Sequence, residues 1–272
     1  MTVTPQSLRP LPRAGVLAAA GAVVLLLWQL LWDATDFLPS PAQTVRTAAE
    51  LLAEPATYED LGATLRRLVI GLAMGYAAAV VVALLMQISP WWNRFFRPAV
   101  YVTITSPSMV VALLCLMVFG LAEFGVCMSV AIVIFPFVVV SLDEGVKALS
   151  PGLTEMSRIY GFTPLDHIRH LALPEMAPFL FSAFRNVHAL GWKIVVIAEL
   201  FSQQIGVGAE YKRAYGYFAL DRLMVWTLFF IVMITTVEYV ILRPFERRVF
   251  RWRGPAGGSR RARTKAAVTA SP

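Results

Sequence analysis

The chain has 272 residues, of which 58% are hydrophobic and 15% charged, with a mean hydropathy of +0.65. Soluble domains carry about 25% charged residues, so this composition excludes a domain covered by water and points to lipid, which helices that satisfy their own backbone can span. The net charge of +7 gathers in the segment from Arg243 to Lys265, directly after an apolar run. It reads as a membrane-surface anchor for anionic lipid; with no stacking platform or recognition motif beside it, nucleic-acid binding is set aside.

The first apolar run, Ala14 to Trp32, follows Arg9 and Arg13. At about 19 residues it exceeds a signal-peptide core and lacks a small-residue cleavage pattern, so it is expected to be a retained first span. Asp33 to Thr64 is polar, and within it Gln43 to Glu54 alternates at helical spacing, which predicts a short interfacial helix. Further runs cover Leu68 to Met86, Pro98 to Phe119, Phe124 to Leu142, Pro178 to Leu200 and Leu223 to Leu242. The fold class is therefore all-α, a polytopic membrane bundle of about six transmembrane helices over residues 1–253. A disordered Gly-, Ser- and Arg-rich tail is expected over 254–272.

Lysine and arginine in the short loops set orientation. With six spans, Arg9 and Arg13, Arg94 and Arg97, the Asp143–Ala177 loop and the C-terminal tail share one side, expected to be the cytoplasm. Both termini would then be cytoplasmic. Arg66, Arg67, Lys212 and Arg213 lie on the other side and break the pattern. Cys115 and Cys127 both fall in apolar runs and read as small buried hydrophobes.

The segment from Asp143 to Pro178 is unlike the rest. Ser150-Pro151 opens one short helix and Gly161 stops it with a positive φ. Thr163-Pro164-Leu165-Asp166 opens a second, with near-capping-box chemistry, which ends before Leu173-Pro174. A compact helical pair held in water calls for a docking partner. His167 and His170 share a face, but no third ligand accompanies them, so they read as an exposed loop pair rather than a metal site.

Here the chain resembles the permeases of binding-protein-dependent ABC importers. Their cytoplasmic loop has the pattern E-A-A, three residues, G, nine residues, I-x-L-P. This chain has Glu155-Met156-Ser157, then Gly161, then Leu171-Ala172-Leu173-Pro174, with every spacing kept. Leu38-Pro39-Ser40-Pro41, Phe119-Gly120, Ala198-Glu199, Gly206-Val207-Gly208 and the Arg243 to Arg253 tail are similar to signals of the nitrate/sulfonate/taurine-type subfamily. The resemblance implies a type I importer permease, with Glu155, Met156, Ser157, Gly161, Leu171 and Pro174 coupling it to a cytoplasmic ATP-binding subunit. It also implies an extracytoplasmic solute-binding protein, a second copy of the chain as homodimer partner, and a bacterial inner-membrane location. The chain has no G-x-x-x-x-G-K-[ST] phosphate loop. ATP is thus expected at the partner subunit, with no cofactor in this chain and no enzyme activity of its own.

The fifth run carries Arg185, His188, Trp192, Lys193 and Glu199. Positions 185, 188, 192, 196 and 199 share one helical face, with Lys193 flanking it. Ionisable groups in a bilayer face protein or water. This face is a candidate path lining, with His188 and Lys193 suited to an anionic solute; snorkelling and intra-bundle pairing are the alternative. Thr105-Ser106-Pro107-Ser108 interrupts the third run, where Pro107 predicts a kink. The hydroxyls of Ser106 and Ser108 either meet solute or satisfy freed carbonyls. Glu238, in the last run, calls for a polar partner. An ion-driven secondary transporter would show internal repeats, and a membrane-embedded enzyme would cluster His, Asp or Glu at one depth; neither pattern is visible.

Overall fold

A computed structural model describes residues 38–244 together with 22–23, 26–30, 32–33 and 248. Residues 26–30 of the expected first span are helical; most of that span and the 254–272 tail lie outside the described residues. The remainder is helical throughout. Helix α1 (Pro41–Ala53) leads into α2 (Pro55–Ile88), α3 (Pro90–Thr105), α4 (Ser108–Phe119) and α5 (Glu123–Lys147). Two short loop helices follow, α6 (Pro151–Ile159) and α7 (Pro164–His167). Then come α8 (Leu173–Ser202), α9 (Val207–Gly216) and α10 (Leu220–Thr236), which continues as a π-helical turn over Val237–Leu242.

Among the described residues, three helices are long and apolar enough to cross a membrane: Pro55–Ile88, Glu123–Lys147 and Leu220–Val240. Helices α3 and α4 form a fourth span if their bent pair is one. Helix α8 is long enough as well at 30 residues, but it carries Glu175, Arg185, Lys193 and Glu199. The third run is more than kinked. Its two halves meet at 109°, with Pro107 between them. Pro107 brings no N–H, and both Ser106 N–H and Ser106 Oγ turn back to Val102 O. The hydroxyl thus adds a second donor to a carbonyl that keeps its helical N–H, and does not reach the Thr103 carbonyl that Pro107 leaves without one.

The core is α2, α5 and α8 packed side by side. Gly71, Gly75, Ala79 and Ala83 repeat every fourth residue along α2 and are all buried. A Cβ on Gly71 would lie 2.7 Å from Val130 Cβ, and one on Gly75 would lie 2.6 Å from Ile134 Cγ1. The stripe lets the two backbones approach closely, the usual route to tight packing where lipid removes the hydrophobic drive between helices. The amphipathic α1 forms where its sequence predicts a helix and packs against the bundle. Ser40 caps it by accepting from Gln43 N; Leu51 then packs with Val207, Val225 and Trp226, and Thr47 Oγ1 donates to Asp221.

Candidate coupling loop and translocation path

Helix α6 ends at a Gly161 whose φ is +68°. Phe162 N–H bonds back to Ser157 O, and Tyr160 N–H to Met156 O, closing the helix end. A Cβ at Gly161 would meet nothing within 4 Å, so the requirement is for the left-handed backbone alone. Thr163 then caps α7 reciprocally. Its hydroxyl donates to Asp166 Oδ2 at 2.5 Å, and Asp166 N–H donates back to Thr163 Oγ1 at 3.2 Å. The Thr163 hydroxyl holds the Asp166 carboxyl below its ordinary pKa. The two short helices are tied across the turn by Ser157 Oγ and His167 Nδ1, 2.9 Å apart. His167 is therefore half-buried in that contact, while His170 is exposed.

The remaining motif residues divide by burial. Ser157 is only 2% exposed and Leu171 is buried, so both hold the loop together. Glu155 and Met156 are exposed, and Leu153, Ile159, Tyr160 and Phe162 with them form an apolar tip. An exposed patch of this kind marks an interaction site. One expectation is corrected here. Helix α7 does not end before Leu173-Pro174; it continues through a π-helical turn, Ile168–Ala172, directly into α8. Pro174 has no N–H to give residue 170 and its ring crowds that carbonyl. The wider π register just before it absorbs the mismatch. Helix α7 and the 30-residue α8 are thus one uninterrupted rod, joined to α6 and its tip at the Gly161 turn, and Glu175 Oε2 also accepts from Ser150 N–H at the loop entrance.

At the far end of α8 the expected path face is closed. Glu199 is fully buried and its Oε1 lies 2.7 Å from Arg67 Nη1, itself 3% exposed. Thr64 Oγ1 and Gly208 N–H donate to Glu199 Oε2 at 2.8 and 3.0 Å. Arg67 also donates to Ile205 O, Gln203 and Glu123. Asp60 takes the Gly206 N–H at 2.6 Å, and Thr64 Oγ1 takes that of Val207. This knot bolts α8, α9 and α2 together. Gly206 adopts φ +126°, and a Cβ there would sit 2.7 Å from the Glu199 carboxylate. The A-E and G-V-G signals are thus one contact. The arginines that broke the charge rule are explained as well: Arg67 is neutralised inside the protein, and Arg66 and Arg213 pair with Glu123 and Glu210. Burial pushes the Glu210 carboxyl upward.

Further along that face, His188 is buried and its Nε2 accepts from Trp192 Nε1 at 2.8 Å. Such a bond leaves the imidazole proton on Nδ1. Arg185 pairs with Glu238 at 2.6 Å, joining α8 to the π-helical turn of the last span. The exposed stripe of α8 lies one position over, at Ser182, Asn186, Ala189 and Lys193. Beside it, a cavity of about 120 Å³ opens at the α3–α4 break, lined by Thr103, Ser106, Ser108, Phe137 and Leu190. Leu190 precedes Lys193 by three residues, hence on the same side of α8. Of the five candidate path residues, then, Lys193, Ser106 and Ser108 border open space. His188 and Glu199 are committed to helix packing.

The sequence profile for "Binding-protein-dependent transport system inner membrane component" matches residues 71–251, from the glycine stripe of α2 through the loop and α8 to the tail. The chain belongs to that family. It is a multi-pass inner-membrane transport component and not itself an enzyme. A Bacillus subtilis relative, named for aliphatic sulfonates transport permease activity, is 23% identical over 241 residues, covering 87% of each chain. A Brucella melitensis relative, named for ABC transporter permease activity, is 27% identical over 245 residues, 87% of this chain and 91% of that one. Among solved structures, the inward-facing MetNI methionine ABC transporter superposes with a TM-score of 0.61 at 16% identity, covering 71% of this chain and 96% of that one. That similarity establishes a shared permease fold.

Proposed function

We propose that the chain is the membrane-spanning half of an ATP-driven importer for a small anion, of the sulfonate, taurine or nitrate class. The 143–177 loop lies in the cytoplasm and seats its apolar tip, with Glu155 beside it, in a cleft of a separate ATP-binding subunit. The observation that carries this reading is that the tip adjoins α7, which runs through the π-helical turn directly into α8. When the ATPase pair closes on ATP, its grip on the tip differs between two states, and that difference biases the permease between inward- and outward-facing forms. A single copy offers half a path, so two copies pair, and a solute-binding protein delivers solute at the outer face. The sulfonate named for the Bacillus subtilis relative supports an anionic cargo.

Within each copy, Lys193 faces the path, with Ser106 and Ser108 at the broken helix beside it. A lysine in the bilayer is costly unless it meets water or a counter-ion, and a passing sulfonate is such a counter-ion. The decisive experiment is native-membrane co-purification followed by uptake in proteoliposomes. Recovery of an ATPase that is lost in a Glu155→Ala, Gly161→Pro double variant is expected. Lys193→Gln should assemble normally and cut sulfonate uptake about tenfold, the worth of one charge-assisted contact. Wild-type uptake by Lys193→Gln would remove Lys193 from the path. Recovery of the chain alone, with uptake that follows an ion gradient, would replace the importer reading by a secondary transporter.

A further inference from the structure

Helix α3 opens on Pro90-Trp91-Trp92-Asn93-Arg94-Phe95-Phe96-Arg97, which sets four aromatic rings and two arginines within about two turns. Helical spacing sorts the rings into two stacked pairs. Trp92 and Phe96 stack at 5.5 Å and 15°; both are half-buried, with Phe96 against the core. Trp91 and Phe95 stack at 5.6 Å and 5°, and both are exposed. Arg94 and Arg97 are exposed as well. Three positions apart, they are neighbours on the helix surface. Neither guanidinium has a hydrogen bond or ion pair among the described residues. Tyr101 and Val102 continue the exposed face along α3.

The position of α3 determines what covers this face. Helix α3 is the first half of the broken span, so its start lies where that span enters the bilayer. The α2–α3 corner is on the loop side of the bundle, because Gln87 Nε2 donates to Asp143 Oδ1 at 3.3 Å, where the loop begins. At the entry of a span the surroundings are lipid headgroups and the first acyl carbons. Tryptophan settles at that level, apolar body against the chains and N–H toward water. Two unpaired guanidiniums beside the rings call for an anion, and phosphate oxygens match the planar arginine fork. A zwitterionic headgroup carries its own cation and leaves the arginine charge uncompensated. An anionic phospholipid supplies the phosphate, the net negative charge and an apolar chain for the ring faces together.

We propose that the outward face of α3 binds an anionic phospholipid, with its phosphate shared by Arg94 and Arg97 and its chain against Trp91, Phe95 and Val102. The site is independent of the cargo and of the ATP-binding subunit. The test uses the full chain in phosphatidylcholine vesicles that hold a graded fraction of brominated phosphatidylglycerol or of brominated phosphatidylcholine. Bromine on an acyl chain quenches indole fluorescence on contact, and the difference between wild type and Trp91→Phe isolates the Trp91 signal. Each basic residue near the surface is worth about fivefold in attraction to anionic lipid, less at high salt. Trp91 should therefore be quenched at about a tenfold lower fraction of the phosphatidylglycerol. The Arg94→Gln, Arg97→Gln double variant should abolish that preference although the basic tail after Arg243 is intact. Thermal unfolding checks that the variant is folded; if it is not, the two single variants stand in, each expected to lower the preference severalfold. Equal quenching by both lipids in wild type, or an undiminished preference in the folded variants, would overturn the site. Quenching of Trp91 by neither lipid would overturn it too, and would put a second copy or another protein on this face.

Discussion

The two ends of α8 are built on opposite principles. At the Glu199 end every strong polar group of Glu199 and most of those of Arg67 are matched, both side chains are buried, and two glycines admit the contact. At the loop end the apolar tip is exposed, and the two short helices are joined by a glycine turn and one Ser157–His167 contact. Buried, satisfied networks are rigid because a partial break leaves a charge without a partner. Exposed apolar side chains on a short turn have no preferred state until something covers them. A rod fixed at one end and offered to a partner at the other transmits displacement along its length. That is the mechanical arrangement an importer needs when the energy source sits on one side of the membrane.

Removing one partner of the knot should give the largest effect. Arg67→Ala leaves Glu199 buried beside Thr64 and Gly208 N–H with no cation, a loss of about 3–5 kcal/mol for a buried pair. The expected result is a large fall in yield and in thermal stability of the detergent-solubilised permease. The Arg67→Met, Glu199→Leu double variant should recover part of that loss and not all, because Ile205 O and Gly208 N–H lose their partners as well. A double-mutant cycle measures the coupling. Additive single costs would mean that the pair is incidental to the rigidity claimed for this end.

At the loop end the expected effect is smaller on stability and larger on coupling. Gly161→Ala places a Cβ in open space but in a left-handed backbone, costing about 1–2 kcal/mol. Gly161→Pro cannot adopt φ +68° at all. Both variants should insert into the membrane with near wild-type yield. The alanine variant should retain reduced uptake, and the proline variant should hydrolyse ATP without transporting. Normal uptake by Gly161→Pro would show that the turn does not set the docking angle.

The same contrast explains how much was legible in the sequence. Hydropathy runs located three of the described long helices, α5, α8 and α10, within a few residues, because lipid imposes length and composition directly; α2 begins at Pro55, well before its run at Leu68. The loop motif was legible too, since a positive-φ glycine and a capping threonine act locally. What could not be read was partnership across more than 100 residues. Arg67 and Glu199 are 132 positions apart, and periodicity on α8 alone could not say whether the Glu199 face met water or protein. The signal was present in the misfit: arginines on the wrong side of the charge rule usually have a buried reason. The 109° break was underestimated because Pro107 shows that a helix ends and not where the next one points. The π-helical turn was missed because local pattern carries no sign of an extra residue per turn.

The smallest and most local test concerns the cap of α7. Asp166 is half-exposed, and its carboxyl is held below the ordinary value of 3.8 first by the Thr163 hydroxyl, then by the Thr163 N–H and by His170. A depressed carboxylate contributes stability above its unfolded pKa and loses it as pH falls through the lower folded value. The cap should thus be intact at neutral pH and begin to loosen only below about pH 4. Thr163→Ala removes the leading cause, so the Asp166 titration should move back toward 3.8 and the onset of loosening should move up with it. Carboxyl chemical shifts of a labelled sample, followed through the titration, read both quantities. An unchanged Asp166 titration in Thr163→Ala would mean that this end of the loop is ordered by the run into α8 rather than by its own cap, and the loop would then be stiffer than its exposed tip suggests.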